Sequence, residues 1–193
     1  MKKLVYFAAL ALALAGTSCQ KDEIGGTATQ ALAGEWVVSI DAVDANGQPI
    51  EGGEDYFGVG YVHLNTYNTA ANVSNAMWID DLASFDVAAY YGNPGYPSYS
   101  FKSVVNTDVD NLTFSSVAAD NHAAVNEFGS ELYKITVEDG KVLPGAAHQL
   151  NGSPCDSIVF YVKYVNDPWY PDDGYEKYRV SGIRYSGLVE NEL

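Results

Sequence analysis

The chain has 193 residues, and 25 acidic against 10 basic side chains give it a formal charge of −15. Such a charge repels phosphate backbones and anionic headgroups, which sets aside nucleic acid as a partner and leaves no basic patch for a membrane surface. Only two cysteines are present, Cys19 and Cys155, so at most one disulfide is possible.

The N-terminal segment decides compartment before fold. Lys2 and Lys3 form a positive n-region, Leu4 to Ala15 a run of twelve apolar residues, and Gly16-Thr17-Ser18 a small-residue cleavage site ending at Cys19. As a helix this run would rise about 18 Å, short of the roughly 30 Å hydrocarbon core. Residues 1–18 therefore read as a lipoprotein signal peptide rather than a membrane span, and Cys19 as the lipid attachment point. Gly16 stands where lipoprotein boxes usually carry leucine, a relaxed form common in Bacteroidetes, and Lys21-Asp22-Glu23 resembles the acidic surface-export signal of that phylum. The expected location is the outer membrane, lipid-anchored and exposed at the cell surface. Loss of Lys2 and Lys3 takes the formal charge from −15 to −17. With Cys19 lipidated, Cys155 is left unpaired, and no neighbouring base or helix N-terminus activates its thiol.

Residues 19–33, which include Gly25-Gly26-Thr27-Ala28-Thr29, read as a flexible tether. Residues 34–193 are one domain's worth of chain. Within it, Trp36, Val38, Ile40 and Ala42 alternate with Val37, Ser39 and Asp41, and Asp44-Ala45-Asn46-Gly47 closes this first strand. Further strands are expected over Val59 to Tyr67, Ala76 to Asp81, Tyr99 to Val105, Leu112 to Val117 and Leu132 to Val137. Glu138-Asp139-Gly140-Lys141 reads as a hairpin turn into a short run near Val142. Ser157 to Val165 and Tyr178 to Leu188 complete about eight or nine strands. Asp120 to Glu127 is the one helix candidate. Tyr90 to Pro97 and Asn166 to Tyr175, rich in proline, glycine and aromatics, read as loops whose tyrosines and Trp169 cover an opening or pack the loops themselves. The pattern fits an antiparallel sandwich or a closed barrel.

Gly34-Glu35-Trp36 on the first strand, with Arg184 on the last, is similar to the lipocalin and avidin group, in which the arginine packs over the indole at the closed end of the barrel. The physical basis is a cation–π stack. More broadly, Gly34-Glu35-Trp36, Tyr67-Asn68-Thr69-Ala70, Met77-Trp78-Ile79-Asp80-Asp81, Asp156-Ser157-Ile158-Val159-Phe160 and Val180 to Gly187 resemble the Bacteroidetes lipoprotein family of lipid-binding putative hydrolases. That resemblance implies an all-β fold, an antiparallel eight-stranded lipocalin/calycin-like β-barrel with an apolar funnel. It brings no catalytic residues with it.

Chemistry is tested residue by residue. Glycine-x-serine-x-glycine does not occur, and His63, His122 and His148 lie in three separate segments without a paired nucleophile. No catalytic residue is assigned. The histidines lack metal-ligand spacing, and Asp44-Ala45-Asn46-Gly47 departs from the calcium loop, with Pro49 where glycine is required. Asp167, Asp172, Asp173 and Glu176 read as a solvated acidic loop. Strand alternation sends Asp80 and Asp81 to opposite faces, which argues against a carboxylate pair. No metal or cofactor is expected. Asp156-Ser157-Ile158 also fits the short pattern at which Bacteroidetes attach O-linked glycans.

The expectation is a monomeric binding module that takes a small apolar or lipid ligand in the barrel, lined by Tyr61, His63, Trp78, Phe101, Phe160 and Tyr164, with Trp36 and Arg184 as the floor. In an eight-stranded barrel these side chains could equally fill the interior. Two alternatives remain open: a lipid or ester hydrolase, and a cell-surface protein whose tyrosine-rich loops meet glycan or another envelope component.

Overall fold

The computed structural model describes residues 25–188 apart from 94, 97, 124–133, 166, 168–169 and 171–173. Residues 1–18, read above as a signal peptide, and Cys19, Lys21-Asp22-Glu23, Trp169, Asp172 and Asp173 lie outside the described residues. Eight strands form a closed antiparallel barrel: β1 (Gly34–Val43), β2 (Val62–Asn68), β3 (Ala76–Asp80), β4 (Lys102–Asp108), β5 (Thr113–Asp120), β6 (Lys134–His148), β7 (Pro154–Tyr164) and β8 (Lys177–Arg184). Each strand pairs with its sequence neighbour, and β8 returns to β1 with Trp36 opposite Arg184 and Val38 opposite Gly182. The fold class expected from the sequence is the one observed.

The alternation that signals the strands also sets what is inside. Trp36, Val38, Ile40 and Ala42 of β1 are buried in one core with Leu64 of β2, Met77 and Ile79 of β3, and Val105 of β4. Further round the wall, Phe160, Val162 and Tyr164 of β7 join Tyr178 and Val180 of β8. Phe101 lies 5.9 Å, ring centroid to centroid, from both Phe85 and Phe160, and Phe114 lies 5.6 Å from Phe160. Aromatic rings thus meet across the interior.

The two ends differ. Connections 69–75, 109–112 and 149–153 are short and share one end with the start of β1. The described residues of the connections after β1, β3, β5 and β7 lie at the other. Packing reaches back before Gly34, since Thr29 and Leu32 are fully buried at the short-loop end.

Three local expectations need correction. Glu138-Asp139-Gly140-Lys141 is no hairpin: β6 runs through it, and the register shifts between Glu138 and Lys141 against β7. Asp139 takes a positive φ of 51°, and Gly140 faces Phe114, whose ring would collide with any Cβ there. The Asp-Gly pair makes a bulge because β5 and β7 both continue past it and hold the strand extended. Asp120 to Glu127 is no helix start: Asp120 ends β5, while Asn121 Oδ1 accepts the Lys102 N–H at 2.9 Å and the His122 N–H donates to the Lys102 carbonyl at 2.6 Å. Those groups serve β4, and residues 124–127 lie outside the described ones. The described helix is instead α1 (Val87–Tyr91), which takes in Tyr90 and Tyr91, expected in a loop. Asp86 caps it by accepting the Ala89 N–H, and Gly92 ends it in the left-handed region.

Closure depends on one close approach. A Cβ on Gly182 would run into the Val37 carbonyl and the Val38 Cα across the β1–β8 seam. Gly182→Ala is expected to cost at least about 2 kcal/mol through overpacking, read as a fall in the urea midpoint with unchanged slope. A variant as stable as the parent would show that the seam is looser than the geometry requires.

Candidate functional site

The residues expected to line a ligand cavity divide by strand phase. Phe101, Phe160 and Tyr164 face inward, the first two fully buried and Tyr164 nearly so. His63 and Trp78 alternate with the buried Leu64, Met77 and Ile79, so they stand on the outer wall, and Tyr61 is exposed ahead of β2. Their strand faces turn outward, contrary to the inward assumption. There Trp78 packs beside Tyr67 and meets His122 edge-on at 5.4 Å, while His63 Nδ1 lies 2.9 Å from Glu35 Oε1 with the Tyr185 ring against its edge.

The short-loop end is sealed by Arg184. Its guanidinium lies 4.4 Å from the Trp36 ring centroid, its Nη1 donates to the Ala33 carbonyl at 2.9 Å, and its Nε donates to Asp156 Oδ2 at 3.0 Å. Gly34 leaves room here: a Cβ would overlap the Arg184 Nη1 and push the guanidinium from its place. Beneath it the Trp36 indole N–H donates to Thr66 Oγ1, whose hydroxyl donates to the Leu32 carbonyl. Asp156 also accepts the Gly145 N–H, and the half-buried Ser157 sits between Leu143 of β6 and Ile183 of β8. The glycan pattern therefore falls mid-strand.

The long-loop end is closed by aromatic rings. Phe57 from the β1–β2 connection stacks on Tyr99 from the β3–β4 connection at 4.4 Å, and Tyr178 packs against both at 5.3 and 5.7 Å. Hydroxyls brace the rings: Tyr99 donates to Asp167 Oδ1 at 2.7 Å, Tyr91 to the Phe57 carbonyl at 2.8 Å, and Tyr164 to the Tyr99 carbonyl. Beside this plug is a half-open hollow of about 430 Å³ walled by Tyr164, Val165, Asp167, Tyr170 and Tyr175. At its rim Lys163 bridges Glu138 at 3.1 Å and Glu176 at 3.2 Å. A second hollow, also about 430 Å³, lies on the wall at Asn106, Asp108, Phe114, Asp139 and Lys141 and is mostly polar.

Asp80 and Asp81 do face opposite ways. Burial works to raise Asp80, but Lys102 at 2.8 Å, the Leu82 N–H and the Tyr67 hydroxyl together hold it below the usual carboxylate range. Asp81 is fully buried, and burial pushes it up to about 7 although the N–H groups of Ala83, Phe85 and Phe101 all donate to it. Asp81 was legible as an acid in phase with Met77 and Ile79. Phe57, Tyr99 and Asp167 were not, because partners 34 to 68 positions apart leave no local pattern.

His122 and His148 are exposed in different parts of the wall, and burial, then the charge of Asp156, push the Cys155 thiol upward, away from the thiolate a nucleophile needs. Among the described residues no group of three His, Cys, Asp or Glu is placed to hold a metal ion. What the arrangement offers is aromatic contact surface with a few polar groups, which suits an apolar or amphipathic ligand.

A family model described as lipid-binding putative hydrolase matches residues 21–189. No curated protein matches the chain. For the short-loop end, Arg184→Met keeps an aliphatic stem over the indole but removes the charge and both hydrogen bonds. Its expected cost is about 1–3 kcal/mol in chemical unfolding, and an unchanged midpoint would show that the pair does not seal the barrel.

Proposed function

The chain belongs to the family of lipid-binding putative hydrolases, and from that premise we propose that it binds a small lipid, such as a fatty acid or lipid fragment, at the long-loop end of the barrel. The observation that carries this reading is the tyrosine-walled hollow of about 430 Å³ whose inner wall is Tyr164. That volume lies within the range of small-molecule sites, roughly 300–1,000 Å³. Tyr164 is in edge contact with Tyr99 and Tyr178, so the hollow and the interior share a wall. An acyl chain would enter here, displace the Phe57–Tyr99 plug and lie against Phe101 and Phe160. The polar end of the ligand would stay in the hollow near Lys163.

The proposal extends to where the binding takes place. Cys19 carries the lipid anchor, and the protein is a monomeric lipoprotein of the outer membrane, surface-exposed, of the Bacteroidetes type. The chain enters β1 at the short-loop end, so the tether holds that end toward the bilayer and turns the long-loop end away from it. Ligand would be collected from the surroundings rather than from the anchoring leaflet.

Native mass spectrometry of the full chain purified from its host, followed by solvent extraction, tests the binding. The expected result is a mass increment that extraction identifies as lipid and that a fatty-acid panel restores. Phe57→Ala removes one ring of the plug, and with aromatic pairs worth about 0.5–1.5 kcal/mol it should raise apparent affinity roughly two- to tenfold. Cys19→Ala should move the protein from the membrane to the soluble fraction. A consistently empty barrel that takes up no member of the panel would overturn the reading.

A further inference from the structure

Donors and acceptors around the tyrosine-walled hollow are unevenly committed. Three donors beside it already point at the protein's own oxygens: Lys163 at Glu138 and Glu176, the Tyr99 hydroxyl at Asp167 Oδ1, and the Tyr164 hydroxyl at the Tyr99 carbonyl. Asp167 and Glu176 line the same hollow. An ionised carboxylate accepts up to about four hydrogen bonds, so one bond exhausts neither. The rest of the wall is mostly ring. Tyr175 is fixed by an edge contact with Tyr56 at 5.1 Å and by its N–H, which donates to the Tyr178 hydroxyl at 3.1 Å, while Tyr170 is exposed at the rim.

The charge at this end is acidic in excess. No lysine or arginine occurs in residues 44–61, 81–101, 121–133 or 165–176, the connections after β1, β3, β5 and β7. Their described residues include Glu51, Glu54, Asp55, Asp86, Asp167 and Glu176. Lysines do stand at the neighbouring strand ends, but carboxylates hold them: Asp80 holds Lys102 at 2.8 Å, Asp120 holds Lys134 at 2.6 Å and Glu138 holds Lys177 at 2.9 Å. At the hollow itself, Lys163 and Lys177 are matched by Glu138 and Glu176, and the charge of Asp167 comes on top, since the Tyr99 hydroxyl is a neutral donor. An anionic head would have to displace a glutamate to reach Lys163. A cationic head meets ring faces and carboxylates without breaking a bond.

Elsewhere the chain uses that combination on its own cations. Lys102 lies 5.9 Å from the Trp78 ring centroid with Asp80 beside it, Lys177 lies 4.9 Å from that of Tyr161 with Glu138 beside it, and Arg184 covers Trp36 beside Asp156. Each time a positive group sits between a ring and a carboxylate. We infer that the hollow takes its ligand's head in the same way, and that the lipid it prefers carries an alkylammonium head. The head seats against Tyr170 and Tyr175 with Asp167 and Glu176 as counter-ions, and the chain runs inward past Tyr164. This rests on the hollow being the lipid site, and it names the class of lipid preferred there; a free fatty acid is the weaker ligand.

Isothermal titration calorimetry of the full chain with a chain-matched series, decyltrimethylammonium, decanoate and decanol, separates head from chain. Decyltrimethylammonium should bind about three- to thirtyfold more tightly than decanoate. That ratio should shrink between about 0.01 and about 1 M salt as the acidic field is screened. Tyr170→Leu removes a ring and Glu176→Gln removes a charge. Both positions are exposed, and each substitution should lower the ratio about two- to fivefold. Decanoate binding as tightly as decyltrimethylammonium, or a ratio that neither salt nor either substitution moves, would overturn the inference. If all three amphiphiles bind alike, the lipid site stands and its charge selection falls. If tetramethylammonium binds as tightly as decyltrimethylammonium, the charge site stands and the lipid reading falls. Binding by none of them removes both.

Discussion

Arg184 sits where the barrel's closure, its floor and its incoming chain meet. Its own strand completes the ring by pairing Arg184 with Trp36 across the β1–β8 seam. The guanidinium covers the indole and also reaches the Ala33 carbonyl, so the residues before β1 are stitched to the same point. A closed barrel has no free edge to pair with other chains, but it must seal both ends of its interior. Here one arginine seals an end; Gly34 leaves room for its guanidinium, and Gly182 separately lets the β1–β8 seam approach closely.

The other end is sealed by different physics. Phe57, Tyr99, Tyr164 and Tyr178 meet through rings, which hold by area and edge contact rather than by a directional charge. Rings can be replaced by another apolar surface at little net cost, whereas a stacked, doubly hydrogen-bonded guanidinium cannot. On the proposed reading, that asymmetry leaves the floor fixed and makes the ring-packed end the one a ligand displaces. The buried carboxyl of Asp81 lies at that end, at the place where charge is most costly.

Much of this was legible in the residues. The alternation of Trp36, Val38, Ile40 and Ala42 places β1 within two residues of its observed start, and the stacked pair of Trp36 and Arg184 is what the resemblance of Gly34, Trp36 and Arg184 to the lipocalin and avidin group implies. Asp139-Gly140 misleads because local chemistry permits a turn or a bulge equally, and only the neighbouring strands decide. Placing His63 and Trp78 in the lining assumes that their strand faces turn inward, but Leu64, Met77 and Ile79 beside them carry the inward phase. The mouth was the hardest to read. Phe57, Tyr99 and Asp167 come from three connections whose lengths and compositions give no register, so their meeting is set by tertiary packing alone.

The central claim is that the long-loop end takes an apolar chain into the barrel. Nuclear magnetic resonance with a nitroxide-labelled fatty acid tests it most directly, because relaxation falls off steeply with distance from the label. The account predicts broadening of Tyr164, Val165, Tyr175 and Phe101 resonances, with Trp36 and Arg184 at the opposite end unaffected. Broadening centred on Trp78 and Tyr67 of the outer wall, or none at saturating ligand, would contradict it.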